Sequence, residues 1–529
     1  MPTVGIFQLP YKLVDGRIEP LTFSAEQVMR RLKEDNIKFL DLQFTGLFGR
    51  FHHTTIDSKM FRIQDFTDGL PKLDGSSIRG FTEIHESDLI IRPDSATYAT
   101  VPWIGTPTAR LICDILSGGS KREIFPRDPR GIAKKAERYL IDQGFDTSYW
   151  GPEVEFFVFD KLEVNTMTPY QGQSYHITSR EAPWSTDSVG YALRLKEGYL
   201  PSAPGDTLME YRNECVDVLT NNFGIVCDAH HHEVATAGQC EIDIRFDTLV
   251  NAADAVQSYK YIVKNIAKKQ NMIATMMPKP IALDNGSGMH VNISLWNKGK
   301  NLFYDSADEY AEMSQTARYF CGGILEHARA LAGIVAPTTN SYRRLVPGYE
   351  APVYVAWSTG NRSAIIRIPA HYKGTKFAHL KRIEFRAPDP SCNPYLAFSA
   401  ILASGLDGIK KKKDISDPVN EDIFRMTSER RRQLGITQLP ASLREAYEEL
   451  RSDNVFLKPI FDGDIIDRII EHEEKEHVEL AVRPHPHEFS MYADIYDRLQ
   501  TLRHSTIRNR LAAEIAFVFL RHAVDVVWL

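Results

Sequence analysis

Apolar and polar positions recur along this chain with two periods, and each period predicts its own elements. AEQVMRRLKEDN (25–36) carries apolar residues at three- and four-residue spacing, which predicts an amphipathic helix. KFLDLQFTGLFGRFHHTTID (38–57) alternates with period two on either side of a glycine turn, which predicts a pair of strands. RDPRGIAKKAERYLIDQG (127–144) reads as a second helix stopped by glycine, followed by a strand in WGPEVEFFVFD. A small mixed domain therefore ends near residue 125, and a larger one begins there. Residues 441–452, 463–478 and 494–529 return to helical spacing, and the Pro/Ser/Thr-rich span 165–206 reads as extended loop.

Period-two alternation gives four separated segments one polar face each. GPEVEFFVFD places Glu153 and Glu155 together, and CEIDIRF places Glu241, Asp243 and Arg245. GMHVNISLW does the same for His290, Asn292 and Ser294, and KRIEFRAPDP for Arg382, Glu384 and Arg386. Any one of these fits an ordinary half-exposed strand with solvated charges. If all four line one cavity, Glu153, Glu155, Glu233, Glu241 and Glu384 repel one another unless cations hold them together. Five carboxylates with His290 form a hard, oxygen-rich set that favours Mg²⁺ or Mn²⁺ over zinc. The run His230, His231, His232 looks like a zinc site, but adjacent residues point apart, so at most one of the three lines the cavity and the others pack nearby.

Arg343, Arg344, Arg362, Arg367, Arg382 and Arg386 crowd into one short span. Arginine forks bind phosphate oxygens, and phosphoryl transfer needs its charge neutralised, so beside a carboxylate nest this span points to a phosphorylated ligand. No GxxxxGK[ST] occurs, so a nucleotide would not sit on a P-loop. A net charge of -6 and a pI near 6.3 leave no basic footprint, which argues against nucleic acid. The six cysteines form no CxxC pair and read as reduced, mostly buried thiols. MPTVGIFQLPYKLVDG lacks a secretory pattern, and the apolar stretch IAFVFLRHAVDVVWL is broken by Arg521, His522 and Asp525. A cytoplasmic protein without a membrane partner is expected.

DGSSIRGF (74–81), GPEVEFF (151–157), HHHEVATAGQCEI (230–242), DNGSGMHVNIS (284–294), NSYRRLVPGYEAP (340–352), NRSAIIRIP (361–369) and RIEFRAPDPSCNPYLA (382–397) together resemble the bacterial type I glutamine synthetase family. The resemblance runs in that family's order from about residue 25 to 494. It implies an α+β fold with a small N-terminal β-grasp domain (1–125) and a large catalytic domain (126–494) whose curved antiparallel sheet is flanked by helices. A helical C-terminal extension (495–529) follows. The implied reaction is ATP-dependent ligation of ammonia to L-glutamate through γ-glutamyl phosphate, giving glutamine, ADP and phosphate. The implied assembly is a dodecamer of two hexameric rings with active sites between subunits.

Carried over residue by residue, the resemblance gives Glu155, Glu233 and Glu241 to a first Mg²⁺ or Mn²⁺ and Glu153, His290 and Glu384 to a second. Asn285, Gly286, Arg344 and Arg386 would bind glutamate beside Glu155. ATP would meet Asp228, Phe246, Ser294, Arg362, Arg367 and Arg382, with Arg362 also catalytic. Asp74, from a neighbouring subunit, and Tyr199 would bind ammonium, Asp74 would take its proton, and Glu350 would close over the intermediate.

The chain departs from the family at several points. Asn292 stands where many members have histidine, and Phe81 where some have tryptophan. Phe424 stands at the tyrosine that some members adenylylate, and Glu83 at an arginine some use in feedback inhibition. The ATP-contacting lysine of the family corresponds to Lys373 or Lys376. A related ligase that couples glutamate to another amine, or an inactive scaffold, would share much of this pattern, although no metal carboxylate is missing. The apolar stripe of residues 495–529 is expected to bury itself in a contact between subunits.

Overall fold

Ser24 starts the first long helix by a reciprocal cap: its hydroxyl accepts the Gln27 N–H at 3.3 Å, and the Gln27 side chain accepts the Ser24 N–H at 2.7 Å. The computed structural model describes residues 10–14, 17–119, 122–185, 192–369 and 372–493. They fall into two compact units, one within 1–162 and 177–477 and a second within 163–176 and 478–529. The extension expected at 495–529 lies outside the described residues. Among the described residues, no helix is long and apolar enough to cross a membrane.

After a short antiparallel pair of strands, Tyr11–Val14 and Arg17–Pro20, the first unit forms α1 (Ala25–Glu34), whose Val28 and Leu32 are buried. Next come β1 (Phe39–Thr45), β2 (Phe51–Asp57), β3 (Leu70–Asp74), β4 (Asp88–Pro93) and β5 (Thr108–Ser117). They form a sheet in the order β2-β1-β5-β4-β3, parallel only at β1–β5 among these pairs. Gly49, at φ +83, makes the expected turn between β1 and β2.

Asp128 caps α2 (Pro129–Asp142), and Gly144 ends its turn at φ +89. The buried Arg130 on α2 pairs with Asp94 at 2.8 Å and Asp114 at 2.7 Å from the small sheet, and with Asp254 at 2.8 Å from a later helix. This network joins the β-grasp part to the rest of the unit. Removing Arg130 would leave the carboxylate of Asp254 without an ion-pair partner among the described residues.

In chain order there follow β6 (Thr147–Phe159), α3 (Met209–Phe223), β7 (Cys227–His232), β8 (Gln239–Ile244), α4 (Leu249–Lys269) and β9 (Met289–Asn297). After them come α5 (Gln315–Val335), β10 (Tyr354–Ser358), β11 (Ala364–Arg367), β12 (Ile383–Phe385), α6 (Pro394–Lys411), β13 (Thr437–Gln438), α7 (Leu443–Ser452) and α8 (Ile465–Ala481). The large sheet has the order β7-β8-β6-β9-β12-β11-β10-β13, with three short strands off this path. It is antiparallel except between β10 and β11.

One face of this sheet is apolar. Phe156 meets Tyr259 of α4 edge-on at 5.7 Å, and Trp150 stacks on Phe398 of α6 at 5.2 Å. The other face is the polar one predicted from alternation. Two details differ from the sequence reading. Strand β8 stops at Ile244, so Arg245 lies past its end, and β12 is only three residues long, so Arg382 and Arg386 flank it. The span 165–206 is mostly loop in its described part, broken by the strand Ser174–Thr178.

Candidate active site

The sheet register sets the acids side by side. Across β8 and β6, Glu241 faces Glu155 and Asp243 faces Glu153. Across β6 and β9, Glu153 faces His290. Asn292 of β9 faces Glu384 of β12, which in turn faces Arg367 of β11. Residues directly opposite on neighbouring strands share a face, so two period-two acid pairs become one acidic floor. A cavity of about 540 Å³ opens over it. Of the site residues expected from the sequence, all but Asp74, Arg343 and the two candidate lysines line this cavity, and so does Asn292.

Two groups in the floor are compact enough to hold a cation, each with ligand atoms within 4.8 Å of one another: Glu153, His290 and Glu384; and His231, Glu233 and Glu241. In the first, His290 Nδ1 lies 3.4 Å from Glu153 and 3.7 Å from Glu384. Burial, then the Arg386 charge, drives the His290 pKa well down, which leaves a neutral imidazole with a lone pair to donate. In the second, His231 lies 3.6 Å from Glu233 and 3.7 Å from Glu241. His231 thus enters a ligand group, beyond the lining role read from the sequence.

The other two histidines turn away. His230 bonds Asn213 at 2.9 Å, and buried His232 bonds Glu181 at 3.0 Å and the Glu233 carbonyl at 2.7 Å.

Glu155 sits beside the second group and is held by protein donors. Its Oε2 accepts from Gly288 N–H at 2.9 Å and from Gln239 Nε2 at 3.0 Å. Burial and then the Glu233 charge push its pKa up to about 8. Burial, followed by the charges of Glu155, Glu153 and Glu233, raises Glu241 well above the carboxylate range. Carboxylates pressed together in this way, with an imidazole in each group, fit hard divalent cations.

Arginines form the opposite wall. Arg367 and Arg386 grip the two oxygens of Glu384 at 2.7 and 2.6 Å. Arg382 donates to Asn292 Oδ1 at 2.9 Å, and Asn292 donates to Glu153 at 2.8 Å, so Asn292 links the arginine wall to the acid floor. Buried Arg344 is fixed by the carbonyls of Ala387 and Arg386 at 2.9 and 3.1 Å. Arg343 is exposed and outside the cavity wall. Gly286 can only be glycine, because a Cβ would collide with the Pro278 carbonyl. Phe246 and Trp296 each meet Tyr149 edge-on, at 5.3 and 5.4 Å, making an aromatic corner suited to a flat ring.

Neither lysine expected near ATP reaches the wall. Lys373 donates to the Glu309 and Tyr310 carbonyls at 3.0 and 3.2 Å, and Lys376 lies over the Phe377 ring at 4.7 Å. Lys381, buried and bonded to the Ala311 carbonyl at 2.7 Å, lines the cavity instead. Sequence reasoning also missed Gln239, although it continues the Glu241 and Asp243 alternation. Asp74 is exposed and capped on its own turn by Ser76 N–H, Ser76 Oγ and Ser77 Oγ at 3.0, 2.6 and 3.1 Å. Those hydrogen bonds lower its pKa.

Residues 36–118 match the family described as glutamine synthetase, beta-Grasp domain, and residues 126–492 match glutamine synthetase, catalytic domain. The glutamine synthetase of Sulfolobus acidocaldarius is 56% identical over 472 residues, covering 89% of this chain and 98% of that protein. That of Frankia alni is 45% identical over 481 residues, covering 89% and 99%. A solved structure of Plasmodium falciparum glutamine synthetase aligns with a TM-score of 0.79 at 27% identity, covering 89% of this chain and 99% of that one. With both domains matched in sequence order, and an acid floor facing an arginine wall within the catalytic one, this chain belongs to the glutamine synthetase family.

Proposed function

We infer that this chain joins ammonia to L-glutamate at the expense of ATP, through γ-glutamyl phosphate, releasing glutamine, ADP and phosphate. The observation that carries this reading is the single cavity in which an acidic floor faces phosphate-binding arginines. Glu155, Glu233 and Glu241, with His231 beside them, would hold one Mg²⁺ or Mn²⁺, and Glu153, His290 and Glu384 the other. Bound there, the cations supply positive charge to the glutamate carboxylate and to the ATP phosphates.

Arg344 and Arg386, with Asn285 and Gly286, orient glutamate so that its γ-carboxylate oxygen attacks the terminal phosphorus and ADP departs. Arg362, Arg367 and Arg382 offset the charge on the transferred group. Phe246 and Ser294 border the nucleoside, with Asp228 nearby. Tyr199 and a neighbouring subunit's copy of Asp74 hold ammonium, and that carboxylate takes its proton. The freed nitrogen attacks the carbonyl carbon, the C–O bond to phosphate breaks, and Glu350 shields the centre. The self-capped, cavity-remote Asp74 supports sites shared between subunits, in keeping with a dodecamer of two hexameric rings. Six free cysteines support a cytoplasmic setting.

The test is phosphate release and product analysis with ATP, Mg²⁺ or Mn²⁺ and glutamate, comparing ammonia with a panel of amines. Glutamine formed with ammonia in stoichiometry with phosphate is expected. A preference for a larger amine would move the chain to the glutamate–amine ligases, and no turnover with any acceptor would overturn the reading.

A further inference from the structure

The loop that carries Glu350 is held from both sides. The Tyr349 ring lies between two ammonium groups, Lys196 Nζ at 4.1 Å and Lys279 Nζ at 3.9 Å from its centroid. A cation over an aromatic face is attracted by the ring's negative charge, and the attraction strengthens as water is excluded. Lys279 is buried, and Lys196 also donates from Nζ to the Gly348 carbonyl at 3.2 Å, one residue before the ring.

Both lysines are tied to Asp284, the residue before Asn285. The Lys196 N–H donates to Asp284 Oδ1 at 3.0 Å, and Lys279 Nζ donates to the Asp284 carbonyl. Asp284 itself is wholly buried, and its carboxylate also accepts the N–H groups of Thr236 at 2.8 Å and Asn285 at 2.9 Å. One carboxylate therefore fixes the segment before Tyr199, the turn after Glu233 and the start of the Asn285–Gly286 loop. Glu350 adopts φ +58, a left-handed conformation that a non-glycine residue keeps only when its surroundings enforce it. Lodging the neighbouring ring between two cations supplies that enforcement.

We propose that Tyr349, gripped by Lys196 and Lys279 and through them by Asp284, is a positioning residue that couples the Glu350 loop to the glutamate-binding loop. It touches no reacting atom. Its effect is to hold the Glu350 loop over the cavity while the acyl phosphate waits for ammonia. A looser loop admits water, whose oxygen attacks the same carbonyl carbon, so that phosphate leaves and glutamate is regenerated without glutamine. The inference rests on the reading given under Proposed function.

The experiment compares wild type with Tyr349→Phe and Tyr349→Leu, reading glutamine formed per phosphate released and glutamate-dependent ATP hydrolysis without ammonia. Leucine removes the ring, and the glutamine-to-phosphate ratio is expected to fall by about threefold or more, with a matching rise in ammonia-independent hydrolysis. Phenylalanine keeps the ring and should stay within about twofold of wild type. An unchanged ratio in Tyr349→Leu would overturn the proposal. Should that variant fail to fold, Lys196→Met, at an exposed position, removes one side of the grip and is expected to shift the ratio the same way. A wild-type ratio in Lys196→Met would then overturn it.

Hydrogen exchange over residues 346–352 reads the grip without chemistry. Faster exchange in Tyr349→Leu and unchanged exchange in Tyr349→Phe are expected, and equal protection in all three chains counts against the coupling. A wild type that makes no glutamine defeats the functional reading, whereas a competent wild type with an indifferent leucine variant defeats only the coupling.

Discussion

His327 is a buried imidazole between two carboxylates, Asp453 at 2.7 Å and Asp407 at 3.0 Å, and it stacks on Phe456 at 4.0 Å. Lys411 also pairs with Asp407, at 2.7 Å. Burial pushes the His327 pKa down, but the bonds to Asp453 and Asp407 outweigh it, so the pKa stands above its ordinary value. A folded-state pKa above the unfolded one stabilises the fold fully below about pH 6.5, and the contribution is lost as pH rises through the folded value. Wild type should therefore exceed His327→Gln in stability by more at pH 6 than at pH 9, as read by denaturant unfolding across pH. A gap that does not narrow with pH would show that His327 acts by shape alone. The sequence gives no hint of this residue, because Asp407 and Asp453 lie far along the chain. The acids of the cavity were legible because alternation is local: Glu153 and Glu155 share a face whatever the strand pairs with. The approach of His231 to Glu241 was not, since it depends on the register of β7 against β8.

At the scale of elements, the pairing of β8, β6, β9 and β12 as neighbours turned four local alternations into one surface. Sequence pattern supplies the alternation and leaves strand order open; the family resemblance implied a curved antiparallel sheet, and the order itself is read from the fold. The crossing of α5 and α6 is less legible. Glycine within a helix costs about 1 kcal/mol relative to alanine, so Gly322, Gly323, Gly405 and Gly408 read as weak points in a one-dimensional pattern. In the fold they permit close approach: a Cβ on Gly323 would strike the Ser404 carbonyl, and one on Gly405 the Phe320 ring. Gly323→Ala should thus lose about 1–3 kcal/mol to overpacking despite its better helix propensity. Chemical denaturation checks this, and an alanine variant as stable as wild type would mean the two helices separate freely.

For the whole molecule, the register that sets Glu241 against Glu155 leaves the metal-free fold carrying buried acids in mutual repulsion. A ligand that binds only the folded chain stabilises it by mass action, by about 2.7 kcal/mol at a hundredfold excess over Kd. Adding Mn²⁺ after chelation should raise the unfolding midpoint, and Glu241→Gln should shrink that rise while leaving the metal-free protein no less stable. A midpoint indifferent to Mn²⁺ would remove the cation from the acid floor. If the midpoint rises with Mn²⁺, persistence of the chain, and not turnover alone, becomes a function of the surrounding free cation. When divalent ions run short, the population of folded molecules should thin, so scarcity is registered as abundance on the timescale of unfolding and clearance.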